Sequence, residues 1–90
     1  MASMLFQFRL AGASSVSLAG DFNGWSTVSH PMAGQDDGLW SIEVDLSPGR
    51  QEYKFFVDGQ QWWNDPEAPT VPNLWGTENS YVEVSGERPS

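Results

Sequence analysis

His30 is the single histidine of this chain; it stands against Pro31, and no cysteine accompanies it. A metal centre or a nucleophile–base pair needs partner side chains at set spacing, and His30 has none. It reads as a structural residue. No Gly-x-Ser-x-Gly elbow and no glycine-rich phosphate loop occurs. Glycosidic cleavage needs two placed carboxyl groups. The nearest candidates are Asp36 with Asp37 in a glycine-flanked stretch, and Glu43 with Asp45 on one strand face; all four read as solvated charge. Asp58-Gly59 and Asp65-Pro66 read as turns. The expectation is a non-enzyme with no catalytic residue, no metal ligand and no cofactor.

The chemistry that remains is aromatic. Five tryptophans among 90 residues need individual explanation. Trp40 shares parity with Ile42, Val44 and Leu46 and belongs to a core. Trp25 follows Asn23-Gly24, Trp62 and Trp63 are consecutive, and Trp75 precedes Gly76. Several turn tryptophans overfill so small a core, so some of them form an exposed binding surface.

Twelve acids against four bases leave a net charge of −8. That field repels a nucleic-acid backbone and an anionic membrane, so neither is an expected partner. A cationic peptide is one candidate for the tryptophans. A neutral polymer with flat apolar faces is the other: the C–H face of a glucose ring stacks on indole. Lys54, Asn64, Thr77 and Asn79 would then serve its hydroxyls. Lys54, the only lysine, lies on the face of its strand opposite the core residues.

The elements that must position these groups are strands. Glycine and proline fall at 15 positions, and beyond Gly12 the longest stretch free of both is nine residues. A helix of average length, about 11–12 residues, does not fit. Period-2 alternation runs through Met4, Phe6, Phe8 and Leu10, through Trp40–Leu46, through Tyr53, Phe55 and Val57, and through Val82 and Val84. Seven strands are expected: 4–10, 15–20, a short one near 28–33, 38–46, 50–58, 60–63 and 79–84. Asp58-Gly59 turns the fifth back on the sixth. The segment 64–78, with three prolines, reads as a long loop. The pattern predicts an all-β fold, an immunoglobulin-like antiparallel β-sandwich. One domain spans 1–90, with 1–3 a start remnant and 85–90 a linker-like tail. No apolar run reaches the roughly 18 residues of a membrane span.

Read in order, Val16-Ser-Leu-Ala-Gly-Asp-Phe-Asn-Gly-Trp25, Tyr53-Lys-Phe-Phe-Val-Asp-Gly59, Trp62, Asp65-Pro66 and Gly76-Thr-Glu-Asn79 resemble carbohydrate-binding module family 48. That family takes in the glycogen-binding domain of the AMP-activated protein kinase β subunit and the early-set sandwiches of branching and debranching enzymes. The match runs from about Leu5 to Val84. It implies a non-catalytic module for α-1,4-glucans: glycogen, starch, maltooligosaccharides, cyclodextrin. The binding positions it implies are Trp25, Lys54, Trp62, Thr77 and Asn79, with Trp75 where the family often has leucine. The hairpin after Asp58-Gly59 is one residue longer than in the kinase form, so the stacking ring is Trp62 or Trp63. The implied partners are an α-glucan and a glucan-active enzyme attached to or associated with the module. Glycogen association, with no signal peptide and no cysteine, implies a cytoplasmic setting. The alternative is a sandwich that docks on such an enzyme or a kinase partner and binds no sugar itself.

Overall fold

A computed structural model describes residues 2–35 and 37–84. Asp36 and the expected tail 85–90 lie outside the described residues. The strands are β1 (Ala2–Arg9), β2 (Val16–Gly20), β3 (Ala33–Gly34), β4 (Leu39–Leu46), β5 (Gly49–Val57), β6 (Gln61–Trp63), β7 (Thr70–Pro72) and β8 (Glu78–Val84). One sheet has the order β1-β4-β3. The other runs β2-β5-β8-β7, with β6 also paired to β5. Every pairing is antiparallel.

Alternation decides which side chains meet between the sheets. Phe6, Phe8, Val44 and Leu46 come from the first sheet; Val16, Leu18, Tyr53, Phe55, Val57 and Val84 come from the second. Phe8 stacks on Phe55 with centroids 4.4 Å apart, and Phe6 meets Tyr53 edge-on at 4.8 Å. These contacts close the sandwich that the sequence predicts. Trp40 packs against this core, half-buried, with its ring lying over Gly34.

Three details differ from the expected strands. β7 lies inside 64–78, which reads as a loop because of its prolines. A proline is tolerated at a sheet edge, where its missing N–H breaks no ladder bond. Pro72 is the last residue of just such an edge strand. Near 28–33 only β3 forms, preceded by an isolated bridge from Pro31 to Ser17. Ala2 and Ser3, expected as a remnant, already belong to β1 and pair with Leu46 and Asp45.

Gly20 ends β2 where the chain passes close to β5. A Cβ there would sit 2.5 Å from the Glu52 carbonyl oxygen and 2.9 Å from the Tyr53 Cβ. Backbone cannot yield as a flexible side chain can. Gly20→Ala is therefore expected to destabilise the fold by about 1–3 kcal/mol, read from the urea midpoint.

Candidate functional site

β5 carries the centre of the site. Its inward residues Tyr53, Phe55 and Val57 are buried, so Glu52, Lys54 and Phe56 face outward. Along one edge, β5 pairs with β8 as far as Tyr53 and with β6 from Phe55 onward. Lys54 sits in the gap between those two partners. Among the described residues it forms no ion pair.

Around Lys54 lies an open groove of about 1220 Å³. Trp25, Lys54, Trp62, Trp75, Thr77 and Asn79 all line it, together with Asp21, Glu52, Pro72, Asn73 and Leu74. The structure thus brings together the six positions that the resemblance implies. Asn64 does not line it; its Oδ1 accepts a hydrogen bond from the Ser80 hydroxyl at 3.2 Å.

Trp25 and Trp62 make one wall. The turn of 3-10 helix at Asp21–Asn23 is followed by Gly24 at φ 66° and Trp25 at φ 61°. A tryptophan in the left-handed region costs about 1–3 kcal/mol and persists only where its surroundings hold it. Here the Trp25 amide donates to the Gly20 carbonyl at 2.9 Å, and the indole Nε1 donates to Asp21 Oδ1 at 3.1 Å. Asp21 Oδ2 in turn accepts from the Glu52 amide at 2.9 Å, which ties the turn to β5. The Trp25 and Trp62 rings lie 6.4 Å apart at 60°, so they form an angled pair and not a flat shelf. Phe56 supports Trp62 from β5 at 4.7 Å.

Consecutive residues of a strand point to opposite faces, and this separates Trp62 from Trp63. Trp63 is directed toward Phe8, at 6.0 Å, and lies outside the groove lining.

The opposite wall is the loop between β7 and β8. Leu74 and Trp75 at its tip are 98% and 87% exposed, so no packing explains their position. Thr77 is exposed, whereas Asn79 is buried, donating to Glu52 Oε1 at 3.1 Å. Asp21, Glu52, Pro72, Asn73 and Leu74 are the lining residues that sequence reasoning missed. Glu52 had a usable signal, since it shares the outward parity of Lys54. Asn73 follows a proline and precedes Gly76 by three residues, which marks a turn-forming asparagine. Asp21 had no local signal beyond its place in the turn.

A pin of two hydrogen bonds fixes the Asn64-Asp65 corner. The Tyr53 hydroxyl donates to Asp65 Oδ2 at 2.7 Å, and the Asp65 amide donates to Ser80 Oγ at 2.7 Å. Burial, and after it the hydrogen bond and charge of Asp65, hold the Tyr53 phenol far above its ordinary pKa. No cluster of three or more metal-ligating side chains occurs among the described residues, and no helix there is long and apolar enough to cross a membrane.

An antiparallel sandwich with an open aromatic groove on one sheet, floored by a lysine and amides, has the build of a carbohydrate-binding module, a non-catalytic class of domain. The family described as the glycogen recognition site of AMP-activated protein kinase matches residues 2–90, and the chain belongs to that family. It is similar to the 5'-AMP-activated protein kinase subunit beta-1 of Rattus norvegicus and of Homo sapiens, and to subunit beta-2 of Mus musculus. Each is 41% identical over 73 residues, covering 81% of this chain and 26% of the relative. The chain spans about a quarter of the length of these curated relatives.

The Tyr53 pin predicts a loss of stability in alkali. An unfolded tyrosine ionises near pH 10 while the folded one stays protonated, so above about pH 10 the unfolded state holds fewer protons and stability falls as pH rises. The urea midpoint is expected to drop above about pH 10. Tyr53→Phe should flatten that drop while costing about 1.5–3 kcal/mol at neutral pH, the worth of a hydrogen bond to a charged group.

Proposed function

We propose that this chain, acting as one unit over 1–90, binds α-1,4-glucan chains such as glycogen, starch, maltooligosaccharides or cyclodextrin without cleaving them. One observation carries the reading: the groove gathers Trp25, Lys54, Trp62, Trp75, Thr77 and Asn79 from four separate segments. The angled Trp25–Trp62 pair suits a curved ligand surface. A helical α-glucan presents curved C–H faces, while cellulose is flat. Trp62, rather than Trp63, is the stacking ring of the β6 hairpin. Lys54 donates to sugar hydroxyls, and Thr77 and Asn79 complete the polar side. Asp21 and Glu52 are carboxylates in the groove, yet both are engaged in holding its walls, which favours binding over hydrolysis.

The energetics fit a weak, reversible binder. Each ring buries on the order of 50–80 Å², worth roughly 1–2 kcal/mol at about 25 cal/mol per Å². Three rings and a few hydrogen bonds of about 0.5–1.5 kcal/mol each must offset the association cost. The expected Kd lies between about micromolar and millimolar. The relatives are kinase subunits, so an attached or associated enzyme in the cytoplasm is the proposed second partner.

Calorimetric titration with maltoheptaose and with β-cyclodextrin tests this. Trp25→Ala and Trp62→Ala should each weaken binding about five- to thirtyfold, matching the loss of 1–2 kcal/mol. The Kd should barely move between low and high salt, since the ligand is neutral. A sandwich that only docks through its −8 charge would leave sugar unbound and would release a basic partner as salt rises. Unchanged affinity in both tryptophan variants overturns the glucan reading.

A further inference from the structure

We propose that Asn73 is the positioning residue of the groove: it touches no ligand, and sets where Trp75 and Thr77 stand. The inference rests on the glucan-binding reading of the same site. Trp75 is 87% exposed, so contacts with other side chains do little to place it. Its position depends on the backbone of the loop 73–77, and one side chain closes that loop.

Asn73 Oδ1 accepts from the Trp75 amide at 2.9 Å and from the Thr77 amide at 3.1 Å. Asn73 Nδ2 donates to Thr77 Oγ1 at 2.8 Å and to Asn79 Oδ1 at 2.9 Å. The Asn73 amide donates to the Thr77 carbonyl at 3.0 Å. An asparagine amide has two protons to give and one carbonyl oxygen with two lone pairs. All are committed here, so Asn73 lines the groove with nothing left for a sugar hydroxyl. Its effect on binding must pass through the residues it holds.

The same bonds continue across the groove floor. Asn79 Nδ2 donates to Glu52 Oε1, and the Glu52 amide donates to Asp21 Oδ2, whose Oδ1 holds the Trp25 indole. A single chain of hydrogen-bonded residues thus runs from Trp75 to Trp25, and Asn73 is its first link. An exposed loop held in its binding geometry loses less freedom when the ligand arrives, which raises affinity without any added contact.

Amide hydrogen exchange and maltoheptaose titration on the full chain test the assignment. In Asn73→Ala, exchange at the Trp75 and Thr77 amides should speed up at least about tenfold, while Leu18 in the core is unchanged. Maltoheptaose affinity should fall about five- to tenfold, and adding Trp75→Ala should weaken it little further, because the ring is already out of place. Asn73→Asp keeps the oxygen that accepts from both amides. It should restore slow exchange at the Trp75 and Thr77 amides but recover affinity only in part, because its second oxygen cannot donate to Asn79 Oδ1. If Asn73→Ala fails to fold, Asn73→Gln replaces it, its amide one methylene too far out to close the loop. Unchanged exchange at Trp75 and Thr77 overturns the proposal. So does an Asn73→Ala loss that multiplies fully with that of Trp75→Ala. Should the unsubstituted chain fail to bind maltoheptaose, the glucan reading falls, and the exchange rates still decide for or against Asn73.

Discussion

The two-residue period of β5 is the constraint on which both halves of the molecule depend. Tyr53, Phe55 and Val57 enter the core and meet Phe6 and Phe8 across the sandwich. Glu52, Lys54 and Phe56 lie between them in sequence and so emerge on the other side. A one-residue slip of β5 against β2 would exchange the two sets, exposing the core and burying the lysine. The stability of the fold therefore fixes the face on which the groove opens. The pairing of β5 first with β8 and then with β6 places Lys54 at the join, where side chains from both neighbours converge on it.

Around that strand the structure spends stability to hold aromatic groups in water. Trp25 takes a left-handed backbone that a tryptophan disfavours, and Leu74 and Trp75 bury little of their surface. Each expense has an opposing set of hydrogen bonds: Asp21 and Gly20 for Trp25, Asn73 for the loop of Trp75. Such an arrangement suits a rigid neutral ligand, since the walls need little ordering when it binds. The same network explains why two acidic side chains face a site proposed for an uncharged polymer. They act as fixed acceptors for the protein's own N–H groups.

Much of this was legible in the residues. Alternation located β1, β4, β5 and β8 closely, because a half-buried strand writes its faces into the sequence, and turn signals placed β2 and β6. Asp58-Gly59 marked its hairpin, and both residues have positive φ. Six of the lining residues are raised by residue type, as turn tryptophans and as partners for hydroxyls, and the resemblance sets them together as binding positions. The prolines of 64–78 hide β7, and Asn64 is a candidate for the groove because an amide side chain suits a sugar hydroxyl. Its commitment to Ser80, 16 residues away, has no local trace.

By itself the sequence determined the class of the molecule: strands from parity, turns from glycine and asparagine, a binding surface from an excess of tryptophan over core. Those are local properties, set by sterics and by the side a residue faces. Tertiary structure alone decided which surface residues became neighbours. Asp21 reaches Glu52 across 31 residues, and Asn79 reaches it across 27. It also decided that Trp62 turns into the groove while Trp63 turns toward Phe8. Parity states that two consecutive tryptophans part company; only the order of strands around β5 states what each of them meets.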